Sequence, residues 1–170
     1  LPLTAEVGPC LMAHANAHDP AHWEYLQGRS EASRSLLASQ QPFVFCGHVH
    51  QQCLYHLSNL GKSGEFMPVD GVPISLSPAR RWLAIPGSVG QPRDGNPAAC
   101  YATFDTGSAT LTFFRVPYDH DAAARQLILA QHGLTEVTQA DRQHDLELGD
   151  LMLTVFNRHF EVPALPNDVD

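Results

Sequence analysis

The sequence predicts a layered α/β (mixed α+β) fold whose second half contains an antiparallel sheet, and two observations support this. Short apolar runs at residues 8–14 and 43–46 are separated by helical sequence, an order that favours strands packed against helices. From residue 98 onward, two segments alternate apolar and polar residues around a Thr-Gly-Ser turn, which is typical of an antiparallel hairpin.

The first half is predicted to contain two buried strands, each ending at a histidine-bearing segment. The run from Gly8 to His14 is apolar and β-compatible, and it places any chemistry at its C-terminal end. Asp19-Pro20 is expected to open a helix that carries Trp23, Tyr25 and Leu26. A second, polar helix is predicted over residues 30–41, followed by a fully buried strand at 43–46.

The second half is predicted to be mostly strands, followed by helices. Strands are expected at 52–57, 81–85, 98–105 and 109–116, with a loop containing short strand pieces at 58–78 and a Gly/Pro-rich loop at 86–97. Helical periodicity follows residue 117 and returns at 145–160. We therefore expect a domain core at 8–120, a helical segment at 121–160 and a loose tail at 161–170.

Composition narrows the function classes. A hydrophobic content of 44% and a charged content of 16% fit one folded domain, and no apolar run approaches the ~18 residues that cross a bilayer. The net charge of −8 argues against binding a nucleic-acid backbone, although bound metal ions would still allow a small phosphorylated substrate. Four cysteines are too few for a disulfide scaffold, so we expect a reducing, cytoplasmic setting.

The segment Gly47-His48-Val49-His50 directly follows the second buried strand. Two histidines two positions apart after a glycine can point their imidazoles to different sides, so His48 and His50 could each serve one of two adjacent metal ions. If the first strand runs parallel to the second, His14 reaches the same edge of the sheet. In the downstream loop, Arg93 could contact a phosphate oxygen.

Other interpretations compete with this one. The histidines at 48 and 50 could be ordinary polar residues at a strand end, and the loop around Arg93 could be a plain hairpin loop. Cys46, His48, His50 and Cys53 could form a structural zinc site, although their spacing does not match paired zinc knuckles. The chain could also be a non-catalytic interaction module. Assembly into a homo-oligomer is compatible with the sequence.

Together these motifs resemble the calcineurin-like metallophosphoesterases, in particular the bacterial phosphodiesterase branch related to diadenosine tetraphosphatases and serine/threonine protein phosphatases. Three ordered pieces carry the resemblance: His14 after its strand, the Gly-His-Val-His segment at 47–50, and Ile-Pro-Gly-Ser-Val-Gly-Gln-Pro-Arg-Asp at 85–94. It implies a layered α/β/β/α sandwich and a phosphoesterase that uses two divalent transition-metal ions, such as Mn, Fe, Zn or Ni. By position, His14 and His48 would bind one ion and His50 the other.

The resemblance covers the C-terminal half of the family's domain. The Asp-x-His and Gly-Asn-His motifs that the family carries in its N-terminal half are absent from this sequence, and the chain begins at Leu1. We therefore expect a piece of a longer protein that would not turn over substrate alone and would pair with the missing N-terminal half. The substrate, a phosphomonoester or phosphodiester on a small molecule or phosphoprotein, is not fixed by the resemblance.

Overall fold

A computed structural model describes the backbone of residues 2–132 and the side chains of residues 2–126. The amphipathic segment predicted at 145–160 and the tail at 161–170 lie outside the described residues, so the proposed domain boundaries stay a prediction. Neither described helix is long and apolar enough to cross a membrane. The described elements are β1 (Thr4–Val7), β2 (Cys10–Ala13), α1 (Arg29–Ala38), β3 (Phe43–Cys46), β4 (Cys53–Ser58), β5 (Ser63–Phe66), β6 (Ile74–Ser75), β7 (Arg80–Ile85), β8 (Ala99–Asp105), β9 (Thr110–Val116) and α2 (His120–His132).

The strands form two sheets. The larger sheet has the order β1-β2-β3-β7-β4-β5, in which β2, β3 and β7 are parallel and the other neighbours are antiparallel. The smaller sheet has the order β6-β9-β8 and is antiparallel throughout. The predicted α/β class with an antiparallel sheet in the second half is therefore confirmed.

The central strands of the larger sheet are buried on both faces. Along β3, Val44 and Cys46 join the apolar cluster that contains Leu36 of α1. Phe43 and Phe45 point to the opposite face, where they belong to the cluster of the smaller sheet. This alternation follows from the two-residue period of a strand. It explains why the sequence of β3 is apolar at every position, as expected for a strand covered on both sides.

The prediction of a helix that opens at Asp19-Pro20 is wrong. Residues 19–27 form turns and irregular backbone that are organised by the fully buried side chain of Asn16. Its Oδ1 accepts a hydrogen bond from the Asp19 N–H (2.7 Å), and its Nδ2 donates to the Glu24 carbonyl (3.0 Å). Because an asparagine side chain can satisfy backbone groups, it competes with helical hydrogen bonding.

Candidate metal centre

Two of the three predicted metal ligands meet at one edge of the larger sheet. Strands β2 and β3 are parallel with Ala13 opposite Cys46, so the residues that follow both strands emerge side by side. The Gly47 N–H continues the pairing by donating to the His14 carbonyl at 2.7 Å. As a result, Nε2 of His14 lies 3.1 Å from Nδ1 of His48.

The backbone at His48 has a left-handed conformation, with φ of 63°. This conformation costs a non-glycine L-residue about 1–2 kcal/mol. The turn is tight, since the Val49 N–H donates to the Gly47 carbonyl at 2.6 Å. Strained residues of this kind concentrate at functional sites, where the surrounding structure holds them. Here the turn fixes the direction in which the His48 imidazole leaves the chain.

The third predicted ligand, His50, contacts the Gly/Pro-rich loop. Its Nδ1 donates to the Gln91 carbonyl at 2.8 Å, and its own carbonyl accepts from the Arg93 N–H at 3.2 Å. A carbonyl can only accept, so this contact places a proton on Nδ1, as in histidines that bind a metal ion through Nε2. Within residues 2–126, no three His, Cys, Asp or Glu side chains are grouped closely enough to hold one metal ion.

Several contacts hold the loop that carries Gln91. The buried Ser88 hydroxyl accepts a hydrogen bond from the Gln91 N–H at 2.9 Å. The Ser88 carbonyl accepts from the Cys100 N–H at 2.9 Å, and the Tyr118 hydroxyl donates to the Gly90 carbonyl at 3.2 Å. The loop is therefore tied to the smaller sheet and to the segment before α2. In this way it presents a fixed carbonyl to His50.

An ion pair closes the same loop. The guanidinium of Arg115 on β9 bonds the Asp94 carboxylate, and its Nε lies 3.4 Å from Asp70. Burial would raise the pKa of Asp94, but hydrogen bonds from Arg115 and from the Asn96 N–H outweigh it, and the pKa lies below its ordinary value. The same hydrogen bond to Asp94 raises the pKa of Arg115, against the opposing effect of burial.

The predicted phosphate contact, Arg93, lies on the surface of this loop. Its side chain is exposed, and its Nη2 donates to the Gln91 side-chain oxygen at 3.4 Å. Its backbone N–H makes the contact with His50 described above. Arg93 is thus connected to His50 through the backbone, while its guanidinium faces outward beside Gln91.

Two aromatic residues next to the histidines were missed by the sequence analysis. The Trp23 ring centroid lies 4.3 Å from that of His14, and Tyr25 stacks on His48 at 4.1 Å with an interplanar angle of 20°. Both side chains are about half exposed, at 48% and 47%. The sequence places both in the helix predicted to open at Asp19-Pro20, so it gives no sign of this role. The buried Asn16 is the feature that marks the segment as irregular.

The structure gives the alternative zinc site no support. Cys46 is fully buried in the apolar cluster beneath α1, and burial raises the pKa of its thiol to about 12. Cys53 belongs to the same cluster and its thiol donates to the Phe66 carbonyl at 3.8 Å. Zinc requires thiolates, whereas these cysteines behave as small apolar residues. All four cysteines of the chain are free thiols.

Comparison with known proteins shows which fold this arrangement resembles. No family model matches the chain. An uncharacterized protein of Methanocaldococcus jannaschii is 30% identical over 118 residues, which cover 69% of this chain and 45% of the relative. The crystal structure of a metallophosphoesterase from Sphaerobacter thermophilus matches 84% of this chain with a TM-score of 0.68 and 28% sequence identity. These matches support the likeness of the chain to the calcineurin-like metallophosphoesterase superfamily.

The chain spans about half the length of the proteins it matches, 45% of the archaeal relative and 57% of the solved structure. The family resemblance drawn from His14, the Gly-His-Val-His segment and the loop at 85–94 is thereby confirmed. The roles of individual residues in it stay predictions.

The residues at the sheet edge fit a transition-metal ion. Two imidazole nitrogens that bind one tetrahedral zinc at about 2.0–2.1 Å lie about 3.3 Å apart. The nitrogens of His14 and His48 are separated by 3.1 Å, so a small outward movement would let both bind the same cation. The tautomer of His50 is also the one that a metal ligand needs. The donor set of the chain is therefore suitable for metal binding.

Proposed function

We propose that this chain contributes to a metal-dependent phosphoesterase site that hydrolyses phosphomonoesters or phosphodiesters. His14 and His48 would hold one divalent transition-metal ion, and His50 a second ion. The 3.1 Å separation between the nitrogens of His14 and His48, delivered by parallel strands, is the observation that carries the proposal. The likeness to a solved metallophosphoesterase supports the same reaction class.

The residues of the chain have separate tasks in this proposal. When bound, the metal ions would supply an activated water nucleophile and neutralise charge on the phosphorus centre. The tight turn at His48 aims its ring toward His14, and the Gln91 carbonyl orients the His50 ring by accepting a hydrogen bond from its Nδ1. Arg93 can swing from Gln91 to a phosphate oxygen, since its guanidinium is exposed and donates in a fork.

The compartment, the substrate class and the metal ions belong to the same proposal. Free, buried thiols accord with a reducing compartment, which favours the cytoplasm. The substrate would be a small phosphorylated molecule or a phosphoprotein. Metals compatible with imidazole ligands include Mn, Fe, Zn and Ni, and the donor set alone does not choose among them.

Metal titration of variants tests the proposal. His48→Asn removes the imidazole but keeps a residue that tolerates a positive φ, so folding should survive. Because loss of supporting contacts alone costs about 10–100-fold in metal affinity, loss of a ligand should cost at least about 100-fold for Mn²⁺ or Zn²⁺ by isothermal titration calorimetry. His14→Gln should have the same effect.

The matched control is His22→Gln. This histidine pairs with Asp19 at 2.7 Å, and its side chain is 74% exposed. Its replacement should leave the metal titration unchanged. If both His14→Gln and His48→Asn retain the native affinity while circular dichroism shows them folded, the two histidines do not bind the metal and the proposal fails.

A further inference from the structure

A cavity of about 540 Å³ opens beside the candidate metal centre, on the α1 side of the larger sheet. Its size lies within the range of about 300–1,000 Å³ that is usual for small-molecule sites. Its walls include the aromatic residues Tyr25, Tyr55 and Phe66 together with Met67. Phe66 and Met67 are 38% and 52% exposed, so apolar surface is presented to whatever enters.

The cavity shares its wall with the metal centre. Tyr25 lines the cavity and stacks on the His48 ring at 4.1 Å. Val49 and Gln51 also line it, and they alternate along the chain with His48 and His50. Tyr25 is therefore the residue through which the cavity borders the metal centre.

The charge of the cavity wall indicates which kind of organic group would bind there. Among the described residues that line the cavity, Glu65 alone is charged. It lies on β5 directly opposite Tyr55 of β4, so the carboxylate and the phenol ring share one face of the sheet. Aromatic faces beside a carboxylate attract alkylated ammonium groups through cation–π and Coulomb interactions. A second phosphate group in the cavity would instead be repelled by the Glu65 carboxylate.

We propose that this cavity binds the organic group of the substrate, and that this group is a cationic, alkyl-rich amine on a small soluble phosphate ester. The inference rests on the proposed phosphoesterase function, because it assigns the phosphate of the same ester to the histidines. The recognition elements are the Glu65 carboxylate and the rings of Tyr25 and Phe66. Tyr25 connects the two parts of the site, since it contacts both His48 and the cavity.

Binding of a phosphorus-free probe tests the cavity independently of the metal site. Choline and its neutral isostere 3,3-dimethyl-1-butanol are titrated into the chain with EDTA present, and binding is followed by chemical-shift changes in ¹H–¹⁵N spectra. Choline should bind about tenfold more tightly than the isostere, since only choline gains the cation–π and carboxylate terms. Glu65→Gln should weaken choline about fivefold and leave the isostere unchanged.

Glu6→Gln is the matched control. Glu6 is an exposed carboxylate on edge strand β1, at the opposite edge of the same six-stranded sheet, about 24 Å away at about 4.8 Å per strand. The Glu6→Gln variant should bind choline as tightly as the native chain does. Equal binding of choline and the isostere, or unchanged choline binding by Glu65→Gln, would overturn the assignment of a cationic group. Absence of binding by either probe would overturn the cavity as a binding site.

Two further experiments test whether the cavity acts together with the metal centre and whether its ligand is a soluble ester or a lipid headgroup. With Mn²⁺ present, phosphocholine should bind at least tenfold more tightly than choline or inorganic phosphate. An affinity no better than that of choline would separate the cavity from the metal centre. Co-sedimentation with phosphatidylcholine vesicles that choline competes away would overturn the soluble ester in favour of a lipid headgroup. Choline binding without any metal binding would leave the cavity intact while the phosphoesterase proposal fails.

Discussion

At the scale of single residues, the contact that matters most beyond the histidines is the ion pair between Asp94 and Arg115. Both side chains are largely buried, with exposures of 10% and 14%. Asp94 lies three residues after Gln91, whose carbonyl orients His50. Removal of Asp94 would leave the Arg115 charge with Asp70 alone, whose side chain is 45% exposed. The geometry of the loop at 86–97 therefore depends on a carboxylate that must stay ionised.

We expect stability to depend on pH through Asp94. The pKa of its carboxyl in the folded chain lies below the ordinary value of about 3.9, because hydrogen bonds from Arg115 and Asn96 outweigh burial. A group with a lowered folded pKa stabilises above its unfolded pKa, and this contribution is lost as the pH falls toward the folded pKa. Urea unfolding should show a decline from about pH 5 downward that is smaller in Asp94→Asn.

The Asp94→Asn variant should also lose about 1–2 kcal/mol at neutral pH, since a hydrogen bond to a charged group is replaced by a weaker one. Asp121→Asn is a suitable control, because the Asp121 side chain is 81% exposed and lies on α2. Its unfolding free energy should follow the native pH curve. If Asp94→Asn gives a curve parallel to that of the native chain, Asp94 does not carry the acid sensitivity.

At the scale of elements, glycine determines how β7 leads into the loop that supports His50. Gly87 has φ of 92°, and a Cβ atom at this position would lie 2.8 Å from Cβ of Cys100 and 3.0 Å from Cγ of Gln52. The buried Gln52 side chain cannot move freely, since its Nε2 donates to the Phe114 carbonyl at 3.2 Å. Gly87→Ala therefore adds a steric clash to an unfavourable backbone conformation.

We expect Gly87→Ala to lower the free energy of unfolding by about 2–4 kcal/mol, the sum of a positive-φ cost and an overpacking cost. Gly95→Ala separates the two terms. Gly95 has a similar φ of 83°, but nothing lies within 4 Å of its added Cβ. It should cost only about 1–2 kcal/mol. Equal losses in the two variants, measured by guanidinium unfolding, would contradict close packing at Gly87.

The elements that the sequence predicted correctly are those in which local pattern and tertiary burial agree. The four apolar residues of β3 and the alternating residues of β8 and β9 are read correctly from hydrophobicity alone. The segment at 19–27 is not, because the hydrogen bonds of Asn16 override the helix start that Asp19-Pro20 indicates. Strand β1 was missed because it is a mostly exposed edge strand with little apolar signal.

At the scale of the whole molecule, the sequence predicts a site only as far as topology can be inferred. His14 and His48 lie 34 residues apart, and the hypothesis of parallel strands was enough to bring them together. The Gln91 carbonyl could not be found in this way, because it is a backbone group on an irregular loop. The stacking of Tyr25 on His48 depends equally on loop geometry. Such contacts leave no pattern in residue type.

The interface between the two sheets should carry much of the stability of the molecule. Phe104 of β8 is fully buried, and its ring lies 4.7 Å from that of Phe43 and 5.6 Å from that of Phe45 on β3. Phe104→Ala removes a ring from this interface and leaves a cavity, so the free energy of unfolding should fall by about 3–5 kcal/mol. Leu60→Ala, at a site 86% exposed, should stay within about 0.5 kcal/mol of the native value. Both strands of this contact lead to the candidate site, because β3 runs into the histidine segment and β8 follows the Gly/Pro-rich loop. If Phe104→Ala lowers the free energy of unfolding by less than about 1 kcal/mol, packing between the sheets does not hold these two segments together.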